Sequence, residues 1–329
     1  MSSAAWLNRY RTDDGPVILD GGLASELEAQ GIQMQGDPLW SARVLQTNPQ
    51  AIKEAHHRYL LSGADVITTA TYQASIKGFV SYLNMTPEEA KELVMSGVHL
   101  AKETVDRFLS KNHSIEQKSP MVAASVGPYG AFLHDCSEYT GAYADNMSVE
   151  ELKGWHRAQV SCLVAAGADL IAFETFPSIK EAEAVVELLR EFPNAKAWLS
   201  FSCKDERCIS DGSLFTEAVQ IAKRTKQLVA VGVNCCSPTL VTPLLDSAKS
   251  LRSPDMSWVV YPDSGEDWDE NTGWLPSEKI PIAELSLDWM KQGAALIGGC
   301  CRIGPAQIAE VRQHLKRSYT SQGSAMGLD

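Results

Sequence analysis

The chain has 329 residues, with 41 acidic and 29 basic side chains and a formal net charge of −12. Hydrophobic residues make up 44% and charged residues 21%, which is typical of a folded globular protein and excludes general disorder. The acidic balance argues against nucleic acid or an anionic membrane as partner, because both need clustered lysine and arginine. No apolar run approaches the roughly 20 residues of a membrane span, and no signal peptide is visible. We therefore expect a cytoplasmic protein.

Taken along the chain, one pattern occurs three times, at Leu61–Thr71, Ala166–Thr175 and Gln292–Cys300. In each copy a glycine follows an amphipathic segment and precedes an apolar run. The glycine suits the left-handed position just after a helix. The apolar run lacks polar alternation, as is typical of a strand that is buried on both faces. The pattern therefore predicts the helix-to-strand joint of an α/β unit.

Eight apolar runs are predicted to be strands: Val17–Asp20, Asp65–Ala70, Met121–Val126, Asp169–Glu174, Ala197–Ser202, Leu228–Asn234, Trp258–Tyr261 and Ala295–Gly298. Amphipathic segments between most of them are predicted to be helices: Pro49–Leu61, Thr86–Leu109, Ser148–Ala166, Ile179–Glu191, Ser213–Arg224 and Thr239–Ser250. This alternation, without a linker, predicts one (β/α)8 TIM barrel in a single domain. A doubly wound open sheet is the alternative, although its usual Gly-x-Gly-x-x-Gly motif is absent from the sequence.

We place the barrel core at about residues 12–316 and expect a polar, disordered tail over residues 318–329. Two long loops are predicted beside the core. One is Gly127–Asn146 after the third strand, and the other is the acidic segment Tyr261–Trp274 after the seventh.

Polar, thiol and glycine residues follow the strands at their carboxyl ends, which form the active face of a TIM barrel. Cys235 follows the sixth strand, and Cys300 and Cys301 follow the eighth, so we expect the three thiols on one rim. Three thiolates with one open position are typical of catalytic zinc, and thiolates select zinc over magnesium or calcium. A structural site that uses both doublets, Cys235-Cys236 and Cys300-Cys301, stays open. In a reducing cytosol we expect these thiols to be free.

The turn Asp20-Gly21-Gly22 after the first strand has two interpretations. It is either a plain tight turn or a binding turn, in which glycine N–H groups hold a carboxylate and Asp20 holds an amine. Glu174 ends an apolar strand, where an ionised carboxylate needs a partner. That partner is either a substrate amino group or a structural cation.

These motifs resemble those of the zinc-dependent homocysteine S-methyltransferase family, over about Val17 to His314. The stretches that carry the resemblance are Asp20–Leu27, Asp37–Arg43, Gly63–Ala74, Ser125–Gly130, Phe173–Thr175, Val233–Cys235 and Gly298–Cys301. The chain looks most like the short enzymes that use S-methylmethionine or S-adenosylmethionine. It looks less like the betaine-using branch, which carries a C-terminal extension for tetramer formation, and the resemblance therefore implies a monomer.

The resemblance implies a role for particular residues. The zinc ligands would be Cys235, Cys300 and Cys301. Homocysteine would be held by Asp20, Gly21, Gly22 and Glu174, and the pocket would also be lined by Tyr72 and Gln73. Cys236, and Asp263 in place of an expected asparagine, depart from the family pattern.

The implied reaction is attack of a zinc-bound homocysteine thiolate on the methyl group of a sulfonium donor, which gives methionine. Zinc removes the thiol proton on binding, so no general base is needed. Aromatic faces can hold a sulfonium cation, and the candidates are Trp40, Tyr129, Trp268 and Trp274. Three alternatives remain: a betaine donor, a non-enzymatic zinc-thiolate or redox sensor, and a barrel hydrolase or lyase that uses Asp20 and Glu174 as acid and base.

Overall fold

A computed structural model describes residues 3–10, 15–111, 119–253, 255–269, 273–275 and 277–325. The strands are β1 Val17–Ile18, β2 Val66–Thr68, β3 Met121–Val126, β4 Leu170–Phe176, β5 Ala197–Phe201, β6 Leu228–Asn234, β7 Ser257–Tyr261, β8 Trp268–Asp269, β9 Gly273–Trp274 and β10 Ala294–Ile297. The helices are α1 Ser3–Leu7, α2 Leu23–Ala29, α3 Val44–Thr47, α4 Pro49–Leu61, α5 Ile76–Leu83, α6 Pro87–Lys111, α7 Tyr129–Leu133, α8 Val149–Ala165, α9 Ile179–Leu188, α10 Phe215–Ala222, α11 Pro238–Ser247, α12 Ile282–Lys291 and α13 Pro305–Ala325.

Eight parallel strands form one sheet in the order β1-β10-β7-β6-β5-β4-β3-β2. The two ends of this sheet meet, because Leu19 after β1 bridges to Val66 in parallel. Two hydrogen bonds accompany this closure, from Asp65 N–H to the Ile18 carbonyl at 2.7 Å and from Asp20 N–H to the Val66 carbonyl at 3.1 Å. The predicted TIM barrel is therefore confirmed.

Local sequence signals explain where the helices begin and end. Ser148 and Glu151 form a capping box at the start of α8, so that two otherwise unpaired N–H groups are satisfied. Gly63, Gly167 and Gly293 follow α4, α8 and α12 with φ values of 93°, 81° and 102°. These are the glycines of the repeated sequence pattern, and their left-handed backbone lets the chain leave each helix and enter the next strand.

Side chains alternate along the barrel strands between two apolar clusters. Leu19, Ala123, Trp198 and Leu296 belong to a cluster inside the barrel, which Leu7 of α1 joins. Their neighbours along the strands, such as Ile18, belong to the larger cluster between the strands and the surrounding helices. The strands are therefore buried on both faces, and their chemistry is confined to their ends.

The structure corrects three details of the prediction. The backbone is helical in α13 through Ala325, so the tail predicted to be disordered continues a helix that packs on α12 and α4; residues 326–329 lie outside the described residues. The Gly127–Asn146 loop contains α7 and two 3-10 turns. The Tyr261–Trp274 loop contains the β8–β9 hairpin. No helix in the described part of the chain is both long enough and apolar enough to cross a membrane.

Candidate metal and substrate site

A cavity of about 1020 Å³ opens at the carboxyl ends of the barrel strands. The residues predicted for the site all line it, namely Asp20, Gly21, Gly22, Tyr72, Gln73, Glu174, Cys235, Cys300 and Cys301. Its walls also come from the segment after β3 and from the segment after β7. Residues far apart in the chain thus converge on one space, as parallel strands of a closed barrel require.

Three sulfur atoms form a cluster on the cavity surface. Cys235 follows β6, and Cys300 and Cys301 follow β10, which are separated in the barrel by β7. The Sγ atom of Cys301 lies 3.8 Å from that of Cys235 and 4.0 Å from that of Cys300. All three atoms lie within 4.8 Å of one another. A tetrahedron with metal–sulfur bonds of about 2.3 Å has edges of about 3.8 Å, so the separations of the Cys301 sulfur from the other two sulfurs suit a zinc ion.

Cys236 points away from this cluster. It is buried, and its thiol contacts that of Cys203. The metal-ligating cluster among the described residues contains Cys235 but not Cys236. The structural four-cysteine site, which the sequence left open, is therefore not formed here.

The expectation of free thiols is wrong for one pair, because Cys235 and Cys300 form a disulfide. The vicinal partners do not bond to each other. The bond instead crosses the barrel rim between residues whose Cα atoms lie 5.5 Å apart, within the range that a disulfide needs. A metal ion that uses all three sulfurs requires this pair to be reduced, since the thiolate is the ligand.

The glycines after β1 are required by close packing against the segment that carries Cys300. A Cβ atom on Gly21 would lie 2.2 Å from the carbonyl oxygen of Ile303, and one on Gly22 would lie 2.6 Å from that of Cys300. The N–H of Gly22 donates to the Ile303 carbonyl at 2.9 Å. The N–H of Gly21 has no partner among the described residues, so of the two it is the one available to a ligand.

Asp20 is almost fully buried, with 3% of its surface exposed. Its carboxylate accepts hydrogen bonds from the backbone N–H of Thr68 at 2.7 Å and from the Thr68 hydroxyl at 3.0 Å. Burial outweighs these bonds and, together with nearby Glu174, raises the pKa of Asp20 to about 8. A cationic group in the cavity would favour the ionised carboxylate.

Glu174 lies next to Asp20 on the cavity wall. Its carboxylate accepts a short hydrogen bond from the Ser125 hydroxyl and a second from the hydroxyl of Tyr261. Burial raises the pKa of Glu174 to about 7 in spite of both bonds. Asp20 and Glu174 are therefore two carboxylates without a described cationic partner, which is the setting for a ligand amine.

Strained backbone at the site is held by a buried hydrogen-bond network. Thr175 and Cys235 have positive φ values of 62° and 45°. The side-chain amide of Asn234 accepts from the Thr175 N–H and donates to the Thr175 hydroxyl, both at 2.8 Å. Asn234 also accepts from Ser200, whose hydroxyl lies 2.5 Å from that of Tyr261. The network fixes the ends of β4 and β6, and so positions both Glu174 and Cys235.

Several of these supporting residues were missed by the sequence prediction. Thr68, Ser125, Ser200 and Tyr261 lie within or at the end of the apolar runs that predicted strands. A polar residue inside a strand that is buried on both faces indicates a hydrogen bond, because its polar group needs a partner. Which residue is that partner depends on the register between the strands, which the sequence does not give.

Tyr72 and Gln73 follow β2 and line the cavity. Tyr72 is hydrogen-bonded to Thr175, and burial raises its pKa well above the ordinary value. The side-chain N–H of Gln73 donates to the carbonyl of Ala131 in α7 at 3.3 Å, while its Oε1 is buried without a partner in the described structure.

Acidic and aromatic residues surround the mouth of the cavity. Trp40, Tyr139 and Trp274 line it, whereas Tyr129 does not and instead packs against Trp155. Of the predicted aromatic candidates, Trp268 has its side chain outside the described residues. Burial raises the pKa of Asp263, which also lines the cavity, to about 6.

Comparisons with known proteins agree with this site. The family model described as homocysteine S-methyltransferase matches residues 17–315. Betaine-homocysteine S-methyltransferase of Drosophila melanogaster is 40% identical over 93% of this chain and 96% of its own. Homocysteine S-methyltransferase 1 of Arabidopsis thaliana is 42% identical over 92% of this chain and 94% of its own length. The metallated form of the homocysteine methyltransferase MmuM from Escherichia coli is 38% identical, with a TM-score of 0.82 over 94% of this chain and 98% of its own.

These matches extend over nearly the whole described barrel and include each strand end that contributes to the cavity. The name of the Drosophila relative mentions betaine and that of the Arabidopsis relative mentions no methyl donor, so the names leave the donor open. The chain belongs to the homocysteine S-methyltransferase family.

Proposed function

We propose that the protein transfers a methyl group from a sulfonium donor, S-methylmethionine or S-adenosylmethionine, to the sulfur of homocysteine, giving methionine. The observation that carries the proposal is the cluster of Cys235, Cys300 and Cys301 on the surface of an acidic cavity. In the reduced protein these residues would hold one zinc ion, because the Cys301 sulfur lies at tetrahedral spacing from the other two sulfurs and reduction frees the Cys235–Cys300 pair to separate. When bound, zinc supplies deprotonation of the homocysteine thiol at neutral pH, where a free thiol of pKa about 8.5 is mostly protonated.

The amino-acid part of homocysteine would be held by the carboxylates beside the cluster. Asp20 and Glu174 would receive its ammonium group, and the N–H of Gly21 would donate to its carboxylate. Thr68 orients Asp20, and Ser125 and Tyr261 orient Glu174. These contacts fix the direction in which the homocysteine sulfur approaches the cysteines, which is the positioning that a direct displacement needs.

The donor would occupy the mouth of the same cavity. Its sulfonium carries a positive charge, which suits a cavity that contains Asp263 and the aromatic rings of Trp40 and Trp274. In the transfer the carbon–sulfur bond of the donor breaks, and its electron pair stays on the donor sulfur. A new carbon–sulfur bond forms to homocysteine, so S-methylmethionine yields two molecules of methionine.

Two alternatives have an observation in their favour. Betaine is a second candidate donor, because the relative from Drosophila has betaine in its name. A redox sensor without turnover is favoured by the Cys235–Cys300 disulfide, since the same sulfurs cannot form the disulfide and bind zinc at once.

We further propose that the protein acts as a cytoplasmic monomer.

The test is methionine formation by the reduced, zinc-loaded protein. Homocysteine is mixed separately with S-methylmethionine, S-adenosylmethionine or betaine, each carrying a deuterated methyl group, and labelled methionine is followed by mass spectrometry. We expect labelled methionine from a sulfonium donor and none with Cys301→Ala. Turnover with betaine alone would replace the donor assignment, and no methionine from any donor would favour the sensor.

A further inference from the structure

The part of the cavity wall that follows β2 and β3 contains two hydrogen-bond acceptors that the described protein leaves unused. Oε1 of Gln73 and Oε2 of Glu138 are both buried, and neither has a hydrogen-bond partner among the described residues. Both residues line the cavity. A buried acceptor without a donor costs free energy, so such atoms are normally satisfied by a ligand or by ordered water.

The two acceptors belong to one structural unit. Gln73 is tied to α7 by its hydrogen bond to the Ala131 carbonyl at 3.3 Å. Glu138 lies in the 3-10 turn Ser137–Tyr139, which packs directly on α7, since a Cβ atom on Gly130 would come within 2.6 Å of the Glu138 backbone nitrogen. Glu138 also contributes to the electrostatic environment of Tyr72, the neighbour of Gln73. We call Gln73 and Glu138 the acceptor wall.

Among the residues that the structure describes, no cation pairs with the acceptor wall. Arg302 and His134 are the basic residues that line the described cavity. Arg302 is already paired with Glu266 through two hydrogen bonds of 3.0 Å. Burial raises the pKa of Glu138, as is expected of a carboxylate that lacks a cation, and burial likewise lowers the pKa of His134. A ligand that enters with a positive charge and several N–H groups would satisfy both acceptors.

We propose that the acceptor wall binds the primary ammonium group of an amino-acid methyl donor, and so selects such donors over quaternary amines. This inference rests on the proposed function and assigns the donor class for the same site. An ammonium group has three N–H donors, which can reach a carboxylate and an amide oxygen together. Betaine carries a trimethylated nitrogen without any N–H group, so it leaves both acceptors unsatisfied. The site therefore discriminates by a missing hydrogen bond, the kind of difference that gives strong selectivity.

The test uses two variants that keep the side-chain size. Glu138→Gln removes the negative charge, and Gln73→Met removes the acceptor oxygen. Asp145→Asn is the matched control, because it removes one negative charge from an exposed residue of the same β3–α8 segment that does not line the cavity. We expect the KM for S-methylmethionine to rise by about tenfold in each variant, as for loss of a charge-assisted hydrogen bond. The KM for homocysteine should stay within about twofold, and the control should resemble the parent protein.

Calorimetry gives a second readout that does not depend on turnover. S-methylmethionine and dimethylsulfoniopropionate, a sulfonium without an amine, are titrated into protein that is saturated with homoserine. We expect the parent to bind S-methylmethionine more tightly, and both variants to reduce that preference. Circular dichroism and zinc content show whether each variant is folded and loaded.

Three results would overturn the proposal: unchanged S-methylmethionine affinity in both variants, equal weakening of both sulfonium compounds, or a rise confined to the homocysteine KM. A rise confined to the homocysteine KM would mean that the acceptor wall binds homocysteine and not the methyl donor. If the parent forms no methionine but binds S-methylmethionine through Glu138 and Gln73, the proposed reaction fails and the ammonium site stands. If it forms methionine and the variants change nothing, the reaction stands and the ammonium site fails.

Discussion

The two sides of the cavity differ in how their polar groups are satisfied. On the cysteine side, Asp20 receives two hydrogen bonds from Thr68, and Glu174 receives bonds from Ser125 and Tyr261. On the side that follows β2 and β3, the acceptor wall of Gln73 and Glu138 has two buried oxygens without partners in the described structure. The first side is therefore organised before any ligand arrives, whereas the second is completed by a ligand.

The difference follows from the elements that carry each side. The cysteine side is built on the ends of β1, β4, β6 and β10, which neighbouring strands hold on both sides. In the acceptor wall, Gln73 follows β2, whereas Glu138 lies in the segment between β3 and α8, which contains α7 and short turns. Chemistry that needs fixed geometry thus lies on the barrel, and recognition of the variable substrate lies on a loop.

The largest expected effect is removal of a metal ligand from the organised side. Cys301→Ala should abolish zinc binding and lower methyl transfer by more than the roughly 10–100-fold typical of losing an outer-shell partner. Cys236→Ala is the control, because its thiol contacts Cys203 outside the cluster. Metal analysis and methionine formation measure both variants. Equal zinc loss in both would show that the cluster is assigned wrongly.

A smaller effect is expected from Gly21→Ala, because the new Cβ atom would lie 2.2 Å from the Ile303 carbonyl oxygen. The chain must shift there, at a cost of about 1–3 kcal/mol in the free energy of unfolding, and the KM for homocysteine should rise. Gly154→Ala, on an exposed face of α8, should instead stabilise by about 0.5–1 kcal/mol. Chemical denaturation measures both. A neutral Gly21→Ala would mean that this side is less rigid than the structure indicates.

A pH effect should distinguish the two sides next. Burial raises the pKa of Glu174 to about 7, so its carboxylate forms as the pH rises through about 7. The ionised form binds an ammonium group, and the KM for homocysteine should therefore fall between pH 6 and pH 8. Glu174→Gln should raise the KM and remove the part of this dependence near pH 7, so that the remaining dependence follows Asp20, whose pKa burial raises to about 8. The KM for the donor should keep its own profile. An unchanged profile in the variant would remove Glu174 from homocysteine binding.

The smallest effect concerns the free energy of unfolding and the ion pair between Glu266 and Arg302 at the rim, which needs no ligand. Arg302 lowers the pKa of Glu266 to about 2, so the stabilisation is present above the ordinary carboxyl pKa and is lost as the pH falls toward about 2. Arg302 is 37% exposed, and we expect the contribution to stay below about 1 kcal/mol. Unfolding free energies of Glu266→Gln and the parent from pH 5 to pH 2 should converge. Parallel curves would mean that the pair contributes nothing.

Much of the organised side could be predicted from sequence, because its signals are local. Apolar runs, the glycines after helices and the thiols after the sixth and eighth runs together place Cys235, Cys300 and Cys301 on one rim. The disulfide could not be predicted, because it depends on the distance between β6 and β10 across β7. The partners Ser125 and Tyr261 of Glu174 likewise depend on strand register.

Gln73 of the acceptor wall could be predicted as a pocket residue, but Glu138 could not, because its loop is folded by distant residues. Glu181 in α9 accepts from the backbone N–H of Tyr129 at 2.7 Å, from the Tyr143 hydroxyl and from His156 at 2.7 Å. This buried carboxylate therefore links α7, the 3-10 turn that contains Tyr143, and α8 through hydrogen bonds. No local pattern in Gly127–Asn146 indicates that contact, so the sequence predicted a plain loop and missed Glu138.

X-ray absorption at the zinc edge, on the reduced protein with and without homocysteine, counts the sulfur ligands of the metal. We expect three sulfur ligands from Cys235, Cys300 and Cys301 without homocysteine, and four when its sulfur is added. Cys301→Ala should show no such site. Three sulfur ligands in both samples would mean that the homocysteine sulfur is activated away from the cysteine cluster, and would overturn the proposed zinc site.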